Sequence, residues 1–530
     1  MLRGTASIAL SILFAAAVLA DTLHVPGEYP TIKSAVDASQ DGDTVLVAPG
    51  TYYEASIGVN DHTVHIKSSD GPYVTVVDGG SGWTVFYFSG WDANDSTLEG
   101  FTITNSGNPD KNGGGVSCSD CGVVIHKNII TGNQCLKSGG YGAGIDCSNA
   151  SPIITDNIIS FNSAYHGGGI SCSGADCYAQ IKNNQIYGNF SDHDGGGIIV
   201  RHDAKPVIHI NLIAENHAFH GGGLYCEDSA PSLMRNEFAN NTAESTGGGI
   251  YGDYAGFEVI NNFIHGNMAE RGGGIYMYYC QTTWAPKDPI FLHNTIFNNF
   301  ASDSGGGLVC NASDPDFTNT IFWDNHAAIG QEIYVYHPQT HMEIQYCDVE
   351  NYPASVWVDS GTLVWGAGII DANPRFVNAA GGDYHIRFDS PCKDAGINSA
   401  PGMPGFDFEG DDRRAYGTAD MGADEFAVHL YNEGDRTPGG EIWAGLVGLP
   451  SASPVGLFLG SGVLDPPLPT PWGAFHLAEP WMLIPLVPIP STGVLVIPAT
   501  LPMSPPAPYD VPLQALIGDE LTNLSLLKVQ

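Results

Sequence analysis

The chain of 530 residues is longer than one compact core requires, unless it grows by repetition. Only 14% of its residues are charged, and 57 acidic against 19 basic side chains leave a formal net charge of −38. Such a surface repels nucleic acid and anionic lipid, and it repels polyanionic sugars unless a basic groove or a bound cation intervenes.

Residues 1–20 have the pattern of a signal peptide: Arg3, an apolar run from Ile8 to Leu19, and Val18-Leu19-Ala20 before Asp21. Export is the expectation, with a secreted, extracellular or cell-surface location. No later stretch is long and apolar enough to span a bilayer; prolines 485, 488, 490 and 498 interrupt residues 481–501. Next, a short amphipathic helix is expected around Ile32–Ala38, followed by a first coil from Gly42-Asp43-Thr44-Val45 to Pro49-Gly50-Thr51-Tyr52.

Glycine triplets then begin at 113, 167, 195, 221, 247, 272 and 305, with the variant Gly142-Ala143-Gly144 between the first two. A period near 26 marks a unit that stacks on copies of itself. After the glycines, apolar landmarks alternate, as in Ile145/Cys147, Ile170/Cys172 and Leu224/Cys226. This is the period of two of a strand with one buried face. A second pattern follows, as in Ile154…Asn157…Ile159…Asn162 and Ile181…Asn184…Ile186…Asn189. Stacked at the inter-strand spacing, the isoleucines fill an interior and the asparagines form side-chain ladders that tolerate left-handed turns. The glycines serve a corner by positive φ and close backbone approach. Cys118, Cys147 and Cys172 make an inward column, an apolar filling whose spacing is also within disulfide reach. With 11 cysteines, at least one stays unpaired within the chain, and the lone Cys118-x-x-Cys121 makes no metal set.

The opening from Thr22 to Glu54 resembles that of pectin-lyase-like β-helices. Leu98-Glu99-Gly100-Phe101-Thr102-Ile103 and the repeat units are similar to the exported right-handed parallel β-helix repeat family, and to the repeats of polymorphic outer-membrane adhesins. Asn373-Pro374-Arg375-Phe376, Asp383-Tyr384-His385-Ile386, Ser390-Pro391-Cys392 and Asp420-Met421-Gly422-Ala423-Asp424-Glu425 resemble that family's closing segment. Pro438-Gly439-Gly440, Ser453 to Gly460 and Val511 to Leu516 resemble a β-sandwich module that ends many exported bacterial proteins. The expected fold is all-β: a right-handed parallel β-helix solenoid over 21–426, with a separate C-terminal β-sandwich-like module over 427–530.

Family membership does not assign a reaction. The Asn-Thr-Asp, paired-Asp, Gly-His-Gly and Arg-Ile-Lys set of polygalacturonase-type hydrolases is absent, and the one adjacent Asp pair, Asp411-Asp412, lies beyond the repeats. The Asp-Pro-His-Glu motif of alginate epimerases and the Asp-Phe-x-x-Gly segment of pectin esterases are also missing. A lyase needs only a basic side chain and a charge-neutralising cation, so it leaves no short motif.

Candidate ligand contacts come from the position before each triplet, where His166, Asp194, His220 and Arg271 form a column. Hydrogen-bonding side chains along one flank suit a sugar chain crossing coils; a merely solvated polar corner is the bland alternative. Arg271 is a rare cation here and the weak candidate for a lyase base. Between Gly274 and Phe291 the unit gains seven residues near Tyr278, Tyr279 and Trp284, an aromatic loop suited to sugar rings or to covering apolar surface. Asp407, Glu409 and Asp411 offer oxygen ligands for Ca²⁺, the one cofactor the sequence suggests, or form a solvated acidic turn. These features favour a polysaccharide-binding or adhesive protein with a glycan partner over a polysaccharide lyase, and over a purely structural envelope or matrix component.

Overall fold

The computed structural model describes residues 20–426, apart from 108–111, 282–284, 286, 388 and 415–416, and the backbone of the strands between 429 and 529. Residues 1–19 of the expected signal peptide, and Trp284, lie outside the described residues. Four parallel sheets run the length of a solenoid, with fourteen, twelve, twelve and seven strands. One coil shows the path: Val124–His126 in the first sheet, Ile129–Thr131 in the second, Gln134–Cys135 in the fourth, then a glycine corner and Ile145–Ser148 in the third. The expected helix is Ile32–Val36; it buries Ile32, Ala35 and Val36, and Glu54 accepts from the N–H groups of Ile32 and Lys33 at 2.9 Å. No described helix is long and apolar enough to cross a membrane. The strands of 429–529 instead pair antiparallel, in sheets of three, five and two strands.

Register places like on like. Ile125, Ile154, Ile181, Ile208 and Leu233 stack in the first sheet, and Cys118, Cys147 and Cys172 in the third, all fully buried. All eleven thiols are buried and free, so the cysteine column is filling in this structure. The asparagine ladders form as expected. Asn184 Nδ2 donates to Asn211 Oδ1 at 3.0 Å and to Ile154 O at 2.9 Å, while its Oδ1 accepts from Asn157 N at 2.9 Å. The left-handed turn, however, falls on the residue before each ladder asparagine: Asp156, Asn183, Ile210 and Arg235 have φ of 54–57°. A β-branched Ile210 tolerates this because the next side chain, Asn211, pins the turn to its neighbours.

The triplet glycines divide two tasks. The first has positive φ, +63° at Gly221. The third is excluded from carrying a side chain by stacking alone: a Cβ on Gly197 would lie 2.6 Å from Gly223 O.

Candidate functional site

The outer face of the third sheet meets the glycine corner along a seam, termed the furrow, where most of the outward side chains are themselves buried. Alternation points Ser117, Asp146, Ser171, Ile199, Tyr225, Tyr251 and Tyr276 outward in one register. Beside them runs the corner column, in which Tyr141 pairs with His166, and Asp194, His220, Thr246 and Arg271 follow. The sequence column is therefore real, and Tyr278 lies on the same sheet face, in register with Asp253. Tyr279 follows in the turn and stacks on Tyr254 at 5.4 Å.

The two ends of the furrow differ. Toward the C-terminus, Tyr225, Tyr251 and Tyr276 stack with nearly parallel rings at 5.0 and 5.3 Å, so their faces cover one another. The Tyr225 hydroxyl donates to Asp253 Oδ2 at 3.3 Å. Burial, with Glu227 nearby, pushes the Asp253 carboxyl up to about 6. His220 Nδ1 contacts Thr246 Oγ1 at 2.6 Å, and burial lowers its pKa against the pull of Asp194. Arg271 is half-exposed and engaged by Asp303 at 3.2 Å and Glu270 at 3.5 Å, so its charge is already matched.

Toward the N-terminus a different group converges. Asp146 is 2% exposed, and burial pushes its pKa up to about 6, opposed by the Ser148 and Ser171 hydroxyls, by Arg201 and by Asn112. Ser148 Oγ donates to its Oδ2 at 2.8 Å. Arg201 Cζ lies 3.5 Å from the centre of the Tyr141 ring, which stacks on His166 at 4.8 Å. His166 Nδ1 lies 3.0 Å from Asp194 Oδ2. Next to this group opens a pocket of about 460 Å³ lined by Ser56, Trp83, Thr84, Tyr87, Asn112 and Ser117. Ser117 is the strand neighbour of Asp146, and Trp83 is 56% exposed.

His166, Asp194, His220 and Arg271 were legible from the triplet spacing; Asp146, Tyr141, Arg201 and the pocket were not. The available signal was the outward position between paired landmarks, where Asp146 sits between Ile145 and Cys147.

The acidic run divides its donors. Asp407 Oδ1 accepts from the N–H groups of Gly410 and Asp411, both at 2.7 Å, and its Oδ2 from Glu425 N at 2.9 Å. Glu409 turns instead to His385, 2.9 Å away. A further cleft of about 550 Å³ lies where Phe408 meets Asn183, Arg235 and Glu237.

The family model described as the right handed beta helix region matches residues 88–264 and 196–369, more than half of the chain, and the chain belongs to that family. No curated protein matches. Among solved structures, a pectate lyase is 13% identical with a TM-score of 0.40, covering 74% of this chain and 90% of that one. The A-module of a mannuronan C-5 epimerase from Azotobacter vinelandii is 16% identical with a TM-score of 0.34, covering 57% and 91%. The enzymatically active domain of tailspike protein 2 from bacteriophage CBA120 is 10% identical with a TM-score of 0.26, covering 94% and 73%.

Proposed function

We propose that the protein is an exported β-helix that binds an extended, uncharged polysaccharide along the furrow between the third sheet and the glycine corner. The supporting observation is the pocket of about 460 Å³ beside Asp146. Its aromatic walls, Trp83 and Tyr87, offer apolar surface for a sugar ring, while Ser56, Thr84, Asn112 and Ser117 offer hydroxyl and amide partners. Asp146, Asp194 and Asp253 line the continuation of the furrow, and Arg271 is taken up by Asp303 and Glu270, which disfavours an anionic sugar. Affinity electrophoresis of the full-length protein against a polysaccharide panel tests this. Retention of wild type, reduced at least tenfold in Trp83→Ala and in Asn112→Ala, two residues that line the pocket, is expected. A polysaccharide that retains both variants as well as wild type refutes the furrow as its site.

Asp146 also favours a second reading, catalysis on the same bound chain. A buried carboxyl held near neutrality can exchange a proton at working pH, and the His166–Asp194 pair lies beside it in the corner column. Incubation with the same panel, reading new reducing ends, separates the readings: product supports catalysis, and retention without product supports binding alone. Export by the leader and attachment through residues 427–530 complete the proposal. Fractionation of the producing cells tests export, and a cytoplasmic pool alone would refute it.

A further inference from the structure

The segment that closes the solenoid joins stretches far apart in sequence. Arg413 is fully buried, where it donates to Asn261 Oδ1 at 2.7 Å, to Asp424 O at 3.1 Å and to Ala423 O. Arg235 Nε donates to Phe408 O at 2.7 Å, and Thr295 Oγ1 accepts from Ala423 N at 3.0 Å. In this layer His385 of strand Asp383–Ile386, Glu409 and Asp424 each bring one ligating atom to within 4.8 Å of the others.

Two details distinguish this group from a surface cluster of acids. His385 Nδ1 is held by Asp383 Oδ1 at 2.6 Å, so a carboxylate orients the ring and directs Nε2 to Glu409 Oε1, 2.9 Å away. A carboxylate behind an imidazole is the support that a metal-bound histidine uses. Asp424 is 2% exposed; its Oδ2 accepts from Ile386 N at 2.8 Å, and its Oδ1 is buried without a hydrogen-bond partner. An orphaned carboxylate oxygen beside a second carboxylate calls for a positive charge. A proton on His385 answers the Asp383 and Glu409 contacts but leaves Asp424 Oδ1 without a hydrogen-bond partner, whereas a cation answers all three donors.

We propose that His385, Glu409 and Asp424 form a divalent transition-metal site, of the Zn²⁺ type, that fastens the closing segment. One imidazole with two carboxylates suits such an ion better than Ca²⁺, which prefers six or more oxygens. Glu409 is exposed, so the ion has a route in from solvent. The site is separate from the furrow and independent of the glycan reading. It uses Glu409 of the acidic run and leaves Asp407 to its turn.

Isothermal titration of the chelator-treated full-length protein with Zn²⁺ is the test, with Ca²⁺ in parallel. One equivalent is expected to bind, and the melting temperature to rise with it. Glu409→Gln, at an exposed position that folding tolerates, is expected to weaken this binding at least tenfold and to abolish the melting shift; Asp424→Asn is expected to do the same where it folds. Absence of Zn²⁺ binding, uptake unchanged in Glu409→Gln, or tighter binding of Ca²⁺ than of Zn²⁺ would each overturn the proposal.

Discussion

Truncating one rung of the asparagine ladder measures what holds the coils together. Asn184→Ala removes an acceptor from Asn157 N and a donor from Ile154 O, both inside the solenoid. The other three partners keep alternatives, Lys182 O among them, which still accepts from Asp156 N at 3.3 Å. Asn157 Nδ2 still donates to Ile125 O at 2.9 Å, and Asn211 Oδ1 still accepts from the residue 184 N–H at 3.0 Å. Two stranded groups at about 1–3 kcal/mol each, partly relieved by water entering the vacated space, give an expected loss of about 2–4 kcal/mol. Gln185→Ala, one residue on and exposed, is the control and is expected to stay within about 0.5 kcal/mol of wild type. Urea unfolding followed by circular dichroism reads both. If the two variants unfold at the same midpoint, the ladder hydrogen bonds do not stabilise the solenoid and the reasoning fails.

Gly197→Ala, whose Cβ would press on Gly223 O, is expected to destabilise more than Asn184→Ala; a melting temperature equal to wild type would show that the corner can spread. Asp146→Asn is expected to stabilise the folded state. The folded pKa near 6 lies above the usual 3.8, so between about pH 4 and pH 6 the folded state binds more protons than the unfolded, and stability falls as pH rises through that window. Above it the buried charge costs about 3 kcal/mol, so the variant should gain up to that much at pH 7.5 and little at pH 4; a gain independent of pH in thermal melts contradicts this. Arg413→Ala leaves the buried Glu425 and Asp407 without their cation and is expected to cost about 3–5 kcal/mol. Limited proteolysis should then open residues 373–426 first, and an unchanged digest would refute the role given to Arg413.

The coil architecture was legible in the sequence because it is local and repeated. A period of two selects Ile154 and Cys147 for the interior, and stacking carries the same choice to the next coil, so each unit confirms its neighbours. The ladders followed from the same repetition, since Asn157, Asn184 and Asn211 occupy one position in three units. The left-handed residue before each ladder position was not legible, because Asp156, Asn183, Ile210 and Arg235 share no chemistry; the ladder side chain dictates the turn, and its predecessor complies.

Function followed the opposite rule. Tyr141, His166 and Asp194 share the position before the glycines, but Asp146 and Arg201 occupy other positions of their units, so no motif joins the whole group. They meet only because the third sheet and the corner column run side by side, bringing residues from successive coils into contact. The pairing that neutralises Arg271 comes from Asp303, a coil away, and was invisible for the same reason. The closing segment shows the limit most plainly. Its acidic run allowed either an oxygen cage or an acidic turn, because a segment without a repeat has no register to set where its side chains go. Tertiary packing gave Asp407 to backbone N–H groups and sent Glu409 to a histidine 24 residues earlier. Periodicity in the sequence determines what stacking repeats, whereas the single convergences that make chemistry depend on distances that only the folded chain sets.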